Sequence, residues 1–442
     1  MFNRKELVRL IVPLIIEQTL AITIGLADTL MVSSIGEAAV SGVSLIDSFN
    51  NLLIQILAAL ATGGSVVVSQ YLGSQDTVKA KRASAQIVLV VLTFSGTVAL
   101  LVLCLRGVIL RTVYGAIDDD VMRFAQTYFL LSACSYPFMA LYNAGAALFR
   151  VMGNSKISML ASLVMNVVNI AGNALLIFVF HMGVAGAAIA SLVSRAGACF
   201  TVMIMLQRRG CPLRIDGIAA LRPQKNMIRS VLAIGIPGGV ENGMFQIGKL
   251  CVSSLTSTLG TSVIAANAVG FSVSTILNIP AVAIGLAVTP VVGRCLGAGD
   301  REEGFRWAKK LMGFAYLGCV LSNIFGLVIF DRLCMTWFSL AGETEQICLR
   351  LLFVYNIVAM FLWPLSFTMP KVLQSGGDAR YTMRVSIISM WLFRVGLCYL
   401  LTLQFHCGIM GIWAGMFIDW GFRALLFGWR FLSKKWMEHK VI

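Results

Sequence analysis

The chain reads as an all-α membrane protein: twelve transmembrane helices in two six-helix lobes, related by a pseudo-two-fold axis along the membrane normal. Three observations predict this. The 442 residues are 58% hydrophobic and only 12% charged, with mean hydropathy +0.85, whereas a soluble domain carries about 25% charge. The apolar runs reach the roughly 20 residues that a helix needs to cross hydrocarbon. The chain also repeats itself at an offset of 224 residues. Pro13, Glu17 and Gly36 match Pro237, Glu241 and Gly260, and Leu72, Gly73 and Asp76 match Leu296, Gly297 and Asp300. Gly153 and Met159 match Gly377 and Met383, while Gly183 and Gly186 match Gly408 and Gly411 at 225. Six spans per copy is an even number, so both copies enter from the same side and the repeat is parallel rather than inverted.

The spans fall in order at 8–31, 39–70, 84–105, 122–149, 158–181 and 183–206, then 228–258, 263–295, 307–330, 347–373, 382–405 and 409–431. Residues 1–206 form the N-lobe, 207–226 the linker and 227–442 the C-lobe. The linker holds Gly210, Pro212, Pro223 and five basic residues. The apolar run after Arg4 and Lys5 is too long for a signal peptide and no small-residue cleavage site follows, so it reads as an uncleaved first span.

Lys and Arg set the orientation. With the N-terminus inside, 26 of the 35 fall in inner segments, among them Lys440 in the tail. Five fall outside: Arg106, Arg111, Arg123, Arg332 and Arg350. Arg195, Lys249, Arg394 and Arg423 lie within spans. The split places both termini and the linker in the cytoplasm of a multi-pass protein of the cell (inner) membrane. It also accounts for the net charge of +15 without nucleic acid as a partner. The 11 Cys are scattered with no Cys-x-x-Cys, and no phosphate loop, metal cluster or nucleophile-and-base set is present. An enzyme, an ATP-driven pump and a bound cofactor are therefore not expected.

Polar groups inside a bilayer are costly and mark function or pairing. Glu17, Ala21, Gly25 and Asp28 fall at i, i+4, i+8 and i+11, so the two carboxylates share one face roughly 16 Å apart. The small residues between them leave room for an ion, a ligand or a close helix. Ser162, Asn166, Asn169 and Asn173 form an amide stripe, which serves either a ligand or a neighbouring helix. Asn242, Gln246, Lys249 and Ser253 form another stripe beside Glu241, and Lys249 either meets substrate or neutralises Glu241. Asp47, Asn51 and Gln55 share a face in span two, where Asp47 caps or pairs locally. Asp419 and Arg423, four apart, form a structural ion pair.

At these residues the chain resembles the MATE (multidrug and toxic compound extrusion) transporters of the MOP flippase superfamily. Pro13 with Glu17-Gln18, Asp28 and Gly36 carries the resemblance, as does Arg150-Val-Met-Gly-Asn-Ser-Lys156. So do Asn173-Ala-Leu-Leu-Ile-Phe, Gly183-Val-Ala-Gly-Ala-Ala-Ile-Ala-Ser, Ile236-Pro237 to Gly260-Thr261, Ala265-Ala266 and Leu296-Gly-Ala-Gly-Asp300. The resemblance implies a monomer in lipid with two lobes around a central cavity, exporting organic, mainly cationic compounds against inward H⁺ or Na⁺. It implies that Asp28 and Asn169 belong to an N-lobe cation site, with Na⁺ at Asp28, Asn169 and Asn173 as one form of it. Asn173 stands where that site has an Asp. Glu241 resembles the carboxylate of a C-lobe site, whose tenth-span Asp has no counterpart in 347–373. The candidate site residues are thus Asp28, Glu17, Asn169, Asn173, Glu241, Asn166, Gln246 and Lys249. The alternative is a lipid-linked precursor flippase, which needs several cations for pyrophosphate, such as Arg195, Lys249 and Arg394.

The orientation has a direct test. A Gly217→Cys variant in intact cells should stay unlabelled by an impermeant thiol reagent added outside, and labelling there would invert the assignment.

Overall fold

The structure is a computed structural model that describes residues 3–115, 118–215, 217–338, 340–439 and 441–442. Lys440 of the basic tail lies outside the described residues. The helices are α1 (Arg4–Ser33), α2 (Glu37–Gly73), α3 (Thr77–Tyr114), α4 (Asp119–Val151), α5 (Ser155–Val179) and α6 (Gly183–Gln207). They continue with α7 (Lys225–Ser257), α8 (Thr261–Leu277), α9 (Ile279–Gly297) and α10 (Arg301–Trp337). The last three are α11 (Glu343–Ser375), α12 (Ala379–Gln404) and α13 (Gly408–Leu432). No strand occurs among the described residues. Ten of these helices are long and apolar enough to cross a bilayer. The other three are α4 and α7, which carry more polar residues, and the shorter apolar α8. Many large apolar side chains point outward, including Leu30, Leu100, Phe180, Val328 and Leu425, as a lipid-facing surface requires.

Eleven predicted spans each match one helix. The eighth, expected as one segment over 263–295, is broken into α8 and α9 at Asn278. Pro280 explains the break, because it lacks an N–H and its ring excludes the carbonyl four residues earlier. The Asn278 side chain at the break donates to the Tyr355 hydroxyl of α11.

The chain forms two compact units, Met1–Gly239 and Val240–Ile442. The start of α7 is packed within the first unit, where Gly63 of α2 meets the backbone of Gly235. The linker is held there too. The Gln86 amide of α3 donates to the Arg222 carbonyl at 3.0 Å and accepts from the Gln224 N–H at 3.0 Å.

The repeat residues turn out to be mostly turns and caps. Gly36 and Gly260 are the N-caps of α2 and α8, with φ of 133° and 98°. Asp76 and Asp300 cap α3 and α10 by accepting from the N–H of Lys79 and Glu303 at 2.9 and 2.8 Å. Gly153 and Gly377 sit at φ 83° and 93°, a region where a side chain is strained. Pro13 leaves the Arg9 carbonyl without its helical donor, and the Ser155 hydroxyl of α5 lies within 3.3 Å of it and 2.6 Å of the Leu10 carbonyl.

A methyl group added at Gly63 would lie 2.6 Å from the Cα of Gly235, with backbone on both sides. Gly63→Ala should therefore destabilise the protein by about 1–3 kcal/mol, seen as a lower melting temperature in detergent. An unchanged melting temperature would rule out this close crossing.

Candidate transport site

In the first unit, α1 presents Glu17 and Asp28 to α5. Glu17 is buried and accepts from the Ser158 hydroxyl at 2.7 Å. Asp28, half-buried, accepts from Asn173 Nδ2 at 2.5 Å. The shared face expected from their spacing is therefore the face toward α5. Asn173 Nδ2 also lies 3.4 Å from Asn169 Oδ1, and Asn169 donates to Ser191 of α6 at 3.3 Å. Asn166 donates to the Ser162 carbonyl of its own helix at 2.9 Å, and its buried Oδ1 has no partner. The amide stripe thus divides: Asn173 and Asn169 reach other helices and Asn166 does not. An α-to-π change follows at Ala174–Val179, directly after Asn173, and such widened turns recur at functional sites.

A second layer stands behind Asp28. Asp47 accepts locally from Asn50 at 3.4 Å, and also from Tyr128 of α4 at 3.1 Å, a contact between helices. Asn50 is in turn held by Tyr136 at 2.7 Å and Ser132 at 3.2 Å. Arg195 of α6 donates to Ser135 at 2.6 Å, and its charge acts on both Asp28 and Asp47. Two carboxylates against one guanidinium leave this region an excess negative charge when both are ionised, suited to a cation.

In the second unit, Glu241 of α7 is gripped by neutral donors. Ser386 donates at 2.7 Å, Thr382 at 3.3 Å and Gln374 at 3.1 Å. Among the described residues Lys249 is not one of its partners: it is exposed, and Lys371 approaches Gln374 at 3.5 Å instead. Gln246 is half-buried. Asp419 and Arg423 pair at 3.0 Å as expected, with both side chains buried. Arg394 joins them, its Nη1 3.7 Å from Asp419, and both guanidinium groups lie over the Phe245 ring. Ser389 donates to the same carboxylate.

The hydroxyl partners of the two Glu residues were missed from sequence, although a signal was present. Ser158 and Thr382 are 224 residues apart, and so are Ser162 and Ser386. Hydroxyls recurring at the offset of the Glu pair mark the faces that receive it. The Tyr128–Asp47 and Asp331–Asn356 contacts had no such signal. Asn356 of α11 donates to Asp331 of α10 at 2.6 Å. Among the described residues no three His, Cys, Asp or Glu converge as a metal site.

Comparison with known proteins places this arrangement. A sequence model of the MatE family matches residues 13–175 and 237–400, one segment in each copy of the repeat. The chain is 26% identical over 453 aligned positions to a probable multidrug resistance protein NorM of Thermotoga maritima, covering 99% of this chain and 94% of the relative. It is 24% identical to an uncharacterized transporter, YisQ, of Bacillus subtilis, over 96% of this chain and 93% of that one. A solved structure described as the outward-facing conformation of a multidrug resistance MATE family transporter of the MOP superfamily superposes with a TM-score of 0.89 at 20% identity. That match covers 98% of this chain and 96% of the other.

The Asp419 cluster should be structural. Arg423→Met leaves a buried carboxylate short of its closest counter-charge and should destabilise the protein by about 3–5 kcal/mol. Replacing Asp419 by Leu in the same variant should recover much of the loss. Equal stability of the single variant and wild type in detergent unfolding would show that the pair holds nothing.

Proposed function

We propose that this chain, which belongs to the MatE family of membrane transporters, exports small organic cations in exchange for protons moving into the cell. The observation that carries the reading is that, among the described residues, the hydrogen-bond partners of Asp28 and Glu241 are amides and hydroxyls rather than a fixed cation. A carboxylate held this way has a negative charge to give to a visitor. A proton, Na⁺ or a cationic drug can each take it, and they compete. The names of the relatives, which speak of multidrug resistance, support export of varied compounds.

Asn173 favours the proton over Na⁺ as the coupling ion. Its amide nitrogen faces Asp28 and its oxygen is buried without a partner. An amide N–H is a donor and offers nothing to Na⁺, which takes oxygen ligands. Protonated Asp28 has an O–H that the orphaned Asn173 oxygen can accept. A proton arriving from outside then displaces the drug cation outward, and the empty neutral site returns to face the cytoplasm by alternating access. The basic residues in spans fit this reading better than a pyrophosphate flippase. Arg394 and Arg423 surround Asp419, and Arg195 is bonded to Ser135. In this scheme both lobes, 1–206 and 227–442, cross the inner membrane, with linker and termini in the cytoplasm.

Accumulation of a fluorescent cation in everted vesicles tests the reading. Wild type should accumulate it under a proton gradient and lose that ability when the gradient is collapsed. Asp28→Asn should insert normally and reduce gradient-driven uptake at least tenfold. Full uptake by that variant, or uptake driven by Na⁺ alone, would overturn the assignment.

A further inference from the structure

Asp331 lies near the end of α10 that faces outward in the proposed orientation, in the second unit. It is 5% exposed, and its partner Asn356 on α11 is fully buried. One contact joins them: Asn356 Nδ2 donates to Asp331 Oδ2 at 2.6 Å. The other two atoms of the pair, Asp331 Oδ1 and Asn356 Oδ1, are both buried and both without a partner. Two oxygens are thus left without a donor on the two facing groups. As an ionised carboxylate, Asp331 has no hydrogen to offer, and two buried acceptors stay empty, each a costly omission. As a carboxylic acid, its Oδ1–H donates to Asn356 Oδ1 and closes a two-bond acid–amide ring.

The surroundings suit the neutral form. Apolar Leu277 of α8 and Leu352 of α11 stand in the same cluster as Cys334, Met335 and Cys348. The titratable groups facing Asp331 are the thiols of Cys334 on its own helix and Cys348 on α11, and α8 brings none among the described residues. The neighbouring Arg332 side chain is exposed. Among the described residues no cation offsets an ionised Asp331 here. The space is also built. A Cβ at Gly326 would come within 3.3 Å of Asp331 Oδ1 and 3.2 Å of Asn356 Nδ2. Gly326 opens the π-helical stretch Gly326–Phe330 that turns Asp331 inward.

We propose that Asp331 and Asn356 form a second proton-binding site, which holds its proton as a neutral acid–amide pair and exchanges it during transport. The exchange rests on the proton-coupled reading above. The site is a different one from Glu241, which is met by its own three donors.

Two measurements decide it. Infrared difference spectra of the purified protein at neutral pH should show a protonated-carboxyl carbonyl band that is lost in Asp331→Asn and kept in Asp28→Asn. Asn356→Leu keeps the acid and removes its partner, so it should shift that band without deleting it. Asp331→Asn should also fold normally, because an amide mimics the neutral acid. In proteoliposomes it should move one proton fewer per substrate than wild type. A spectrum unchanged by Asp331→Asn, or an unchanged proton count, overturns the proposal. Wild-type transport that ignores the proton gradient defeats the coupling reading instead, while the infrared band still reports on the pair.

Discussion

Each acidic side chain inside these helices must find hydrogen-bond donors from the protein, because hydrocarbon supplies none. That constraint explains more of the structure than any single apolar contact. Glu17 reaches Ser158, Asp28 reaches Asn173, Glu241 reaches Ser386 and Thr382, and Asp331 reaches Asn356. Each bond ties one helix to another, so the polar groups fix which faces meet. Side chains on α1 are paired with α5, on α7 with α12, and on α10 with α11. Apolar packing alone is nearly indifferent to such rotation in a bilayer, since lipid is as apolar as leucine.

Much of the fold was legible because the chain states it twice. Hydropathy located the spans, and the 224-residue offset set the two copies against each other. The recurring residues carry local backbone demands that a sequence displays openly. Gly36 and Gly260 take positive φ at N-caps, and Asp76 and Asp300 cap the helices that follow by accepting their first backbone N–H groups. The break at Asn278 was less visible. A proline near the middle of a long apolar run either kinks or splits a helix, and its tertiary setting chooses. Here Tyr355 is in place to receive the Asn278 side chain, a contact between residues 77 positions apart.

The site was legible in part. Helical periodicity grouped Glu17 with Asp28 and Asn169 with Asn173 correctly, because residues on one helix keep their spacing in any packing. It could not say that the Asn166 amide would donate within its own helix. Nor could it say that Lys249 would leave Glu241 to hydroxyls. Those outcomes depend on how far α7 and α5 rotate against their neighbours. Asp331 escaped notice for the same reason. A lone acid near a helix end reads as solvated until its burial against Asn356 is seen.

The acidic groups then sort by the kind of partner they meet. Asp419 has Arg423 at 3.0 Å and Arg394 close by, and Asp378 has Arg430 at 2.6 Å. Opposite charges in a low-dielectric setting attract by several kcal/mol or more, so protonating either carboxylate would strand a guanidinium. Those groups stay charged and stay fixed. Asp28, Glu241 and Asp331 meet amides and hydroxyls, whose dipoles hold an anion or a neutral acid with comparable ease. Hydroxyls rotate to suit, and an amide offers a donor and an acceptor side by side. Changing the charge on such a carboxyl breaks no ion pair, and beside Asp28 the Arg195 charge still has Asp47 near it. A transporter whose carboxylates must exchange occupants needs partners of this second kind, with its arginines bonded to other groups, as Arg195 is to Ser135.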